Sequence, residues 1–196
     1  MPAPSALGGF PRWRLTTRRA LKRGHRTKRG AWWFASSGSG RFDLPEPQGT
    51  CYLALDTPTA IREAVGERLT ALGVIDYGFT AERCVSSLHV PRSHALADTC
   101  HVSAADYGVT RELSMITPYA LPQKWADAFN ASKCAGIRYQ TRFTTGAAPN
   151  AVALFGQAGE QPWPADEAPL PFAAAALGLG FRVSSRPRFV RIVATP

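Results

Sequence analysis

The apolar and polar positions of this 196-residue chain predict a series of short strands and helices. "TCYLAL" (50–55) is rich in β-favouring residues and predicts a strand. Directly after it, Thr57 offers a side-chain oxygen as N-cap and Pro58 suits the first helical position, so a helix is expected to begin there. Ile61, Val65, Leu69 and Leu72 share one face of that helix, and Gly73 is placed to end it. Glu63 falls on the opposite side with Glu67 and Thr70, so periodicity alone makes it a solvated carboxylate.

The same reading extends along the chain. "GAWWFASSGSGRFDLPEPQG" (30–49) predicts a short strand and then an irregular loop. "RCVSSLHV" (83–90), "AGIRYQTRF" (135–143) and "NAVALFG" (150–156) predict strands, and "RFVRIV" (188–193) a final one. "AADYGVT" (104–110) and "PFAAAALGLG" (171–180) predict short helices, and "LPQKWADAFN" (121–130) a longer one burying Trp125 and Phe129. Strands and helices interleave without a steady βαβ rhythm and without internal repeats, so a single α+β domain is the expected class.

Composition narrows the class. An apolar content of 45% over 196 residues supports one globular domain with a sizeable core. The most apolar stretch, "PFAAAALGLGF" (171–181), is far short of the roughly 20 residues a membrane helix needs, so no membrane association is expected. "TTRRALKRG" (16–24) resembles a twin-arginine export signal, but polar "HRTKRGAWW" follows where an apolar region would have to stand; cytoplasmic residence is the expectation. Cys51, Cys84, Cys100 and Cys134 are scattered and show no CxxC, and read as small buried hydrophobes.

The net charge of +9 sits entirely at one end: residues 1–30 hold nine Lys and Arg and no acid, while the remainder balances 14 basic with 14 acidic residues. Three readings of this block compete: a flexible solvated arm over residues 1–19, a contact for nucleic acid, or a basic wall beside an anionic ligand. Trp13, Trp32 and Trp33 would be stacking platforms in the nucleic-acid reading.

Familiar chemistries fail on spacing. "GSGR" (38–41) lacks a third glycine and a strand-to-helix context, and no P-loop or GxSxG sequence occurs. Cys84, His89, His94, Cys100 and His101 match no common zinc spacing, so no metal is expected.

What remains is an ordered set of short motifs: "LKRGHR" (21–26), "SGRFDL" (39–44) with Arg41, "CYLALDTPTAIRE" (51–63) with Tyr52 and Glu63 eleven residues apart, "GIRYQTR" (136–142) and "NAVALFG" (150–156). In order and spacing, and in "LADT", "YGVTREL" and "QKWADAF" between them, the chain resembles the RES domain family from about residue 20 to 160. The resemblance implies a fold similar to ADP-ribosyltransferases and an enzyme that breaks the nicotinamide–ribose bond of NAD, by phosphorolysis or hydrolysis. It also implies a toxin held by an antitoxin with an Xre-type DNA-binding domain. NAD is then substrate rather than cofactor, and inorganic phosphate a candidate co-substrate. Homo-oligomerisation stays open.

The resemblance assigns Glu63, Arg23 and Tyr52 to catalysis, and Arg41, Thr141, His25, Arg142 and Asn150 to substrate binding. Nicotinamide leaves NAD as a neutral ring, so no proton donor is needed, and one carboxylate can stabilise the positive charge growing on the ribose. Arginine forks suit the pyrophosphate, and the Tyr52 ring suits the nicotinamide face. Thr141 stands where the family's serine would, keeping the hydroxyl and adding a methyl that can crowd a ligand. Two alternatives are a nucleic-acid-binding protein using the basic segment, and a catalytically weak family member that binds NAD.

Overall fold

The structure is a computed structural model describing residues 7–69, 73–145, 148 and 150–185. In chain order it contains β1 (Arg12–Leu15), β2 (Leu21–Arg26), β3 (Trp33–Phe34), β4 (Gln48–Ala54), α1 (Thr57–Val65), β5 (Val74–Ile75), α2 (Tyr77–Ala81), β6 (Arg83–Leu88) and β7 (His94–Asp98). Two 3-10 turns, Val102–Tyr107 and Arg111–Ser114, lead to α3 (Ala120–Ala131), β8 (Gly136–Tyr139), β9 (Ala151–Gln157), β10 (Gly159–Glu160), β11 (Leu170–Pro171), α4 (Phe172–Gly178) and β12 (Arg182–Val183). The fold is a single α+β domain built on an eight-stranded mixed sheet, ordered β1-β7-β8-β9-β4-β2-β6-β11.

One seam of this sheet matters for the site. β4 pairs with β9 along its whole length, from Gln48↔Gln157 to Ala54↔Ala151, and β2 pairs with β6 from Leu21↔Leu88 to Arg26↔Arg83. Between β2 and β4, however, the ladder consists of Lys22↔Ala54 alone. Two well-knit halves therefore diverge from one point, and α1, which leaves the end of β4, covers the opening.

Alternation along the strands sorts the core into two faces. On one, Cys51 and Leu53 of β4 and Val152 and Leu154 of β9 pack with Leu15, Leu21, Trp32 and Phe34. On the other, Ala151, Ala153 and Phe155 of β9 pack with Phe42, Trp125, Phe129 and Ile137, and Tyr52 lies against them. Ile61 and Val65 of α1 join Val85 and Phe172 in a third cluster.

Several expectations need correction. Residues 1–19 were expected to be a loose arm, yet Arg12–Leu15 form an edge strand antiparallel to β7, and Phe10 and Leu15 are buried. The alternation Arg12, Trp13, Arg14, Leu15 puts its charges outward and its apolar side chains inward. Trp32, offered as a stacking platform, is 1% exposed and donates its indole N–H to Pro164 O. Helix α1 starts one residue early because Asp56 rather than Thr57 caps it, its carboxylate accepting from Thr59 N at 2.7 Å. It also ends at Val65, where Gly66 takes a positive φ of 56°, well before the expected stop at Gly73. "AADYGVT" forms a 3-10 turn, and Cys100, unlike the other three cysteines, is exposed. The expected strand 188–193 lies outside the described residues. Among the described residues, no helix is long and apolar enough to cross a membrane.

Candidate active site

Glu63 sits in the last turn of α1, a helix that a glycine allows close to the sheet. A Cβ on Gly24 of β2 would come within 2.9 Å of both the Ala64 Cβ and the Phe172 ring, so only glycine lets α1 lie this near the seam. Glu63 is not the solvated carboxylate its helical position suggests. The chain leaving β8 crosses that face of α1, and Phe143 N donates to Glu63 Oε1 at 2.9 Å. Burial pushes the Glu63 carboxyl above the ordinary glutamate value, opposed by the Phe143 N–H, the Thr141 side chain, Arg41 and Arg142.

The facing wall is the loop Gly38–Leu44, and Tyr52 organises it. The Tyr52 hydroxyl donates to Asp43 Oδ1 at 2.9 Å and accepts from Phe42 N at 2.8 Å, while Asp43 Oδ2 accepts from Gly40 N. From α3, Gln123 Nε2 donates to Gly38 O and Gly40 O at 2.8 and 3.0 Å. Gly40 cannot carry a side chain here, since a Cβ would lie 2.2 Å from Asp43 Oδ1 and 2.6 Å from Tyr52 Oη. The network presents Arg41, whose Nη1 donates to Ile116 O and whose guanidinium lies 4.7 Å from the centre of the Tyr119 ring. Burial lowers the Arg41 pKa from its ordinary value.

Between these walls lies a cleft in two connected parts. The inner part, about 160 Å³, reaches into the β2–β4 seam and is lined by Arg23, Tyr52, Glu63 and Tyr139 among others. The outer part, about 290 Å³, is lined by Arg41, Tyr52, Glu63, Tyr119, Tyr139 and Arg142. Tyr52, Glu63 and Tyr139 belong to both, so one carboxylate and two phenol rings stand at the junction and Arg41 at the mouth.

The other sequence-derived candidates take varied places. Arg23 borders the inner cavity, but its guanidinium is engaged by Ala31 O, Trp33 O and Cys51 Sγ, so it ties β2 to the segment leading into β3. Thr141 is fully buried; its hydroxyl lies close enough to Glu63 to favour the charged carboxylate, but not in hydrogen-bond geometry. Asn150 supports it from behind, its Oδ1 accepting from Thr141 N at 3.1 Å. Arg142 lines the outer cleft and pairs with Glu67 Oε1 at 2.9 Å across half-exposed surface. His25 is not brought to the cleft. Its Nδ1 lies 3.1 Å from Arg26 O and Arg29 O and its Nε2 2.9 Å from Ser86 Oγ, a set of contacts that fastens the turn after β2.

Sequence reasoning missed Tyr139, Asp43 and Gln123. Tyr139 and Asp43 stood in plain view within "GIRYQTR" and "SGRFDL", but only the convergence of β8, β4 and the loop shows that they act at one place. Gln123 carried no signal, being an ordinary polar position on an amphipathic helix. Among the described residues, no group of three His, Cys, Asp or Glu is arranged to hold a metal ion.

A splayed mixed sheet bridged by a helix, with a half-buried acid facing an arginine across a cleft, defines an α+β class. The RES domain model matches residues 13–173, and the chain belongs to that family. No curated protein sequence matches it. Among solved structures it is similar to the M. tuberculosis MbcT–MbcA toxin–antitoxin complex, with a TM-score of 0.61 and 14% identity over 84% of this chain and 90% of that one.

Proposed function

We propose that this protein cleaves the bond between nicotinamide and ribose in NAD, by phosphorolysis or hydrolysis, as the toxin of a toxin–antitoxin pair. The observation that carries the reading is the placing of the Glu63 carboxylate and the Arg41 guanidinium on opposite walls of one cleft lined by three tyrosines, Tyr52, Tyr119 and Tyr139. Membership of the RES family and the likeness to a toxin–antitoxin complex support it.

The chemistry follows from charge. As the C1–N bond lengthens, its electron pair leaves with nicotinamide, which becomes neutral, and positive charge grows on the ribose. A fixed carboxylate beside C1 stabilises that charge, and desolvation strengthens the effect. Glu63 fills this role and also accepts a hydrogen bond from a ribose hydroxyl. Arg41 holds the pyrophosphate. The rings of Tyr52 and Tyr139 flank the nicotinamide; the Tyr52 hydroxyl, bound to Asp43 and Phe42 N, orders the loop instead of meeting the substrate. Phosphate or water then attacks C1.

The partner in this reading is an antitoxin with an Xre-type DNA-binding domain. The nucleic-acid alternative loses one of its three stacking platforms, the buried Trp32. The weak-enzyme alternative keeps one specific support, a threonine rather than a serine at the buried position 141 beside Glu63.

The test is incubation of purified protein with NAD, with and without phosphate. Release of nicotinamide supports the proposal; ADP-ribose 1″-phosphate marks phosphorolysis and ADP-ribose marks hydrolysis. NAD left intact at stoichiometric enzyme would refute it.

A further inference from the structure

The rung Lys22↔Ala54 that joins the two halves of the sheet belongs to a longer row. Residues opposite each other on paired strands project to the same side, and Tyr139, Ala151, Ala54, Lys22 and Ser87 face one another in turn across β8, β9, β4, β2 and β6. That side is the one α1 covers, because a Cβ on Gly24, two residues after Lys22, would meet Ala64. Tyr139, Ala151, Ala54 and Lys22 line the inner cavity of about 160 Å³, with Ala60, Glu63 and Ala64 of α1 opposite them. Two alanines thus make a low floor with a phenol at one end and a lysine at the other, three strand spacings or about 14 Å apart along the row.

Lys22 is the cationic side chain that β2 turns toward this chamber. Arg23, the next residue, projects to the opposite face, where its guanidinium meets Ala31 O, Trp33 O and Cys51 Sγ. The half-buried Lys22 ammonium donates to Ser87 Oγ at 2.9 Å, and among the described residues no carboxylate pairs with it. An ammonium carries three N–H donors, so two remain beyond the one given to Ser87. A cation held in this way favours an anionic or strongly accepting group beside it.

The order of the lining decides which part of a dinucleotide arrives there. Arg41 stands at the mouth and Glu63 at the junction, while Lys22 lines the inner part alone. With the pyrophosphate on Arg41 and the ribose C1 beside Glu63, the pyridine ring lies inward over Ala54 and Ala151, and the substituent on that ring is the group that reaches Lys22. While the ring fills the chamber, a nucleophile comes to C1 from the outer side, so phosphate is not the group that meets this lysine. A carboxamide offers the ammonium a neutral oxygen; a carboxylate offers a full charge and makes the stronger bond. Resting on the proposed function, we infer that Lys22 is a specificity-determining residue that reads the pyridine substituent, and that the protein also cleaves the deamidated form of NAD, whose pyridine carries a carboxylate. In that reaction the C1–N bond breaks with its electron pair going to the ring nitrogen, phosphate or water bonds to C1, and nicotinate leaves. When water attacks, its proton passes to solvent.

The test is steady-state kinetics with NAD and with its deamidated form, on the unaltered protein and on Lys22→Met, which keeps most of the stem and removes the charge. The unaltered protein is expected to release nicotinate with a kcat/KM at least equal to that for release of nicotinamide. Lys22→Met is expected to lose about tenfold or more in kcat/KM on the deamidated substrate, the scale of a hydrogen bond between charged groups, and at most a few-fold on NAD. No cleavage of the deamidated form by protein that cleaves NAD, or a selectivity ratio unchanged in Lys22→Met, would overturn the assignment. If neither dinucleotide is cleaved, the proposed function falls, and titration of isotopically labelled protein with free nicotinate decides what the chamber binds. Shifts of the Gly24 and Ala64 amides that vanish in Lys22→Met support a carboxylate site there, and their absence overturns it.

Discussion

The two walls of the cleft are built on opposite principles. In the loop Gly38–Leu44, Tyr52, Asp43, Gly40 and Gln123 satisfy one another's hydrogen bonds, and the only charge offered to the cleft is Arg41. The wall formed by α1 and residues 141–143 holds a half-buried carboxylate raised above its ordinary pKa, and a buried hydroxyl without a hydrogen bond. One wall is a satisfied scaffold that fixes a cation in place. The other turns a carboxylate, held by a single backbone N–H, toward the cleft, as expected where chemistry is done. Substitutions on the first wall should therefore lower stability and activity together, while those on the second should separate them.

The largest separation is expected from Glu63→Gln. Its amide oxygen can still accept from Phe143 N, and a charge that burial disfavours is removed, so thermal melting should show Tm unchanged or raised. Nicotinamide release should nevertheless fall by about 10²-fold or more, the scale of one transition-state electrostatic contact. A variant that lost both properties would make Glu63 part of the scaffold.

Gly40→Ala should act in the opposite sense. The new Cβ collides with Asp43 and the Tyr52 hydroxyl, so the loop must shift, and overpacking of this kind costs about 1–3 kcal/mol. Activity should fall with stability, because Arg41 moves with the loop. Tyr52→Phe is milder: it leaves the ring in the cleft but strips a partner from buried Asp43, costing about 1–3 kcal/mol by denaturant unfolding. An increased KM for NAD at nearly constant kcat would mark its role as positioning. The smallest effect belongs to Thr141→Ser, which deletes one buried methyl worth about 0.8 kcal/mol and should leave nicotinamide release within a few-fold. Activity that emerged only in this variant would favour the catalytically weak reading.

The same contrast explains what could be read from the sequence. The strands that make the sheet were legible because their alternation is local, as in "TCYLAL" and "NAVALFG". Glu63 was legible only through its motif. The burial that gives it a function comes from Phe143, 80 residues away, which no helical wheel contains. Tyr52 was found for its ring, but the work of its hydroxyl depends on a loop whose shape cannot be derived from a Gly/Ser-rich segment. Residues 12–15 were hidden by their arginines: charge dominated the reading, although Trp13 and Leu15 alternate as a strand should. His25 shared a motif with Arg23 yet faces a different set of partners, because spacing in one strand does not tell which neighbouring strand a side chain will meet.

The most direct test of the central claim is the pH dependence of nicotinamide release from NAD. Catalysis needs the ionised Glu63, and burial raises its pKa, so activity should be lost as pH falls, with an acid limb centred above the 4.5 of an ordinary glutamate. The residual rate of Glu63→Gln should lack that limb. An identical acid limb in the variant, or a rate that does not change as Glu63 becomes protonated, would contradict the account.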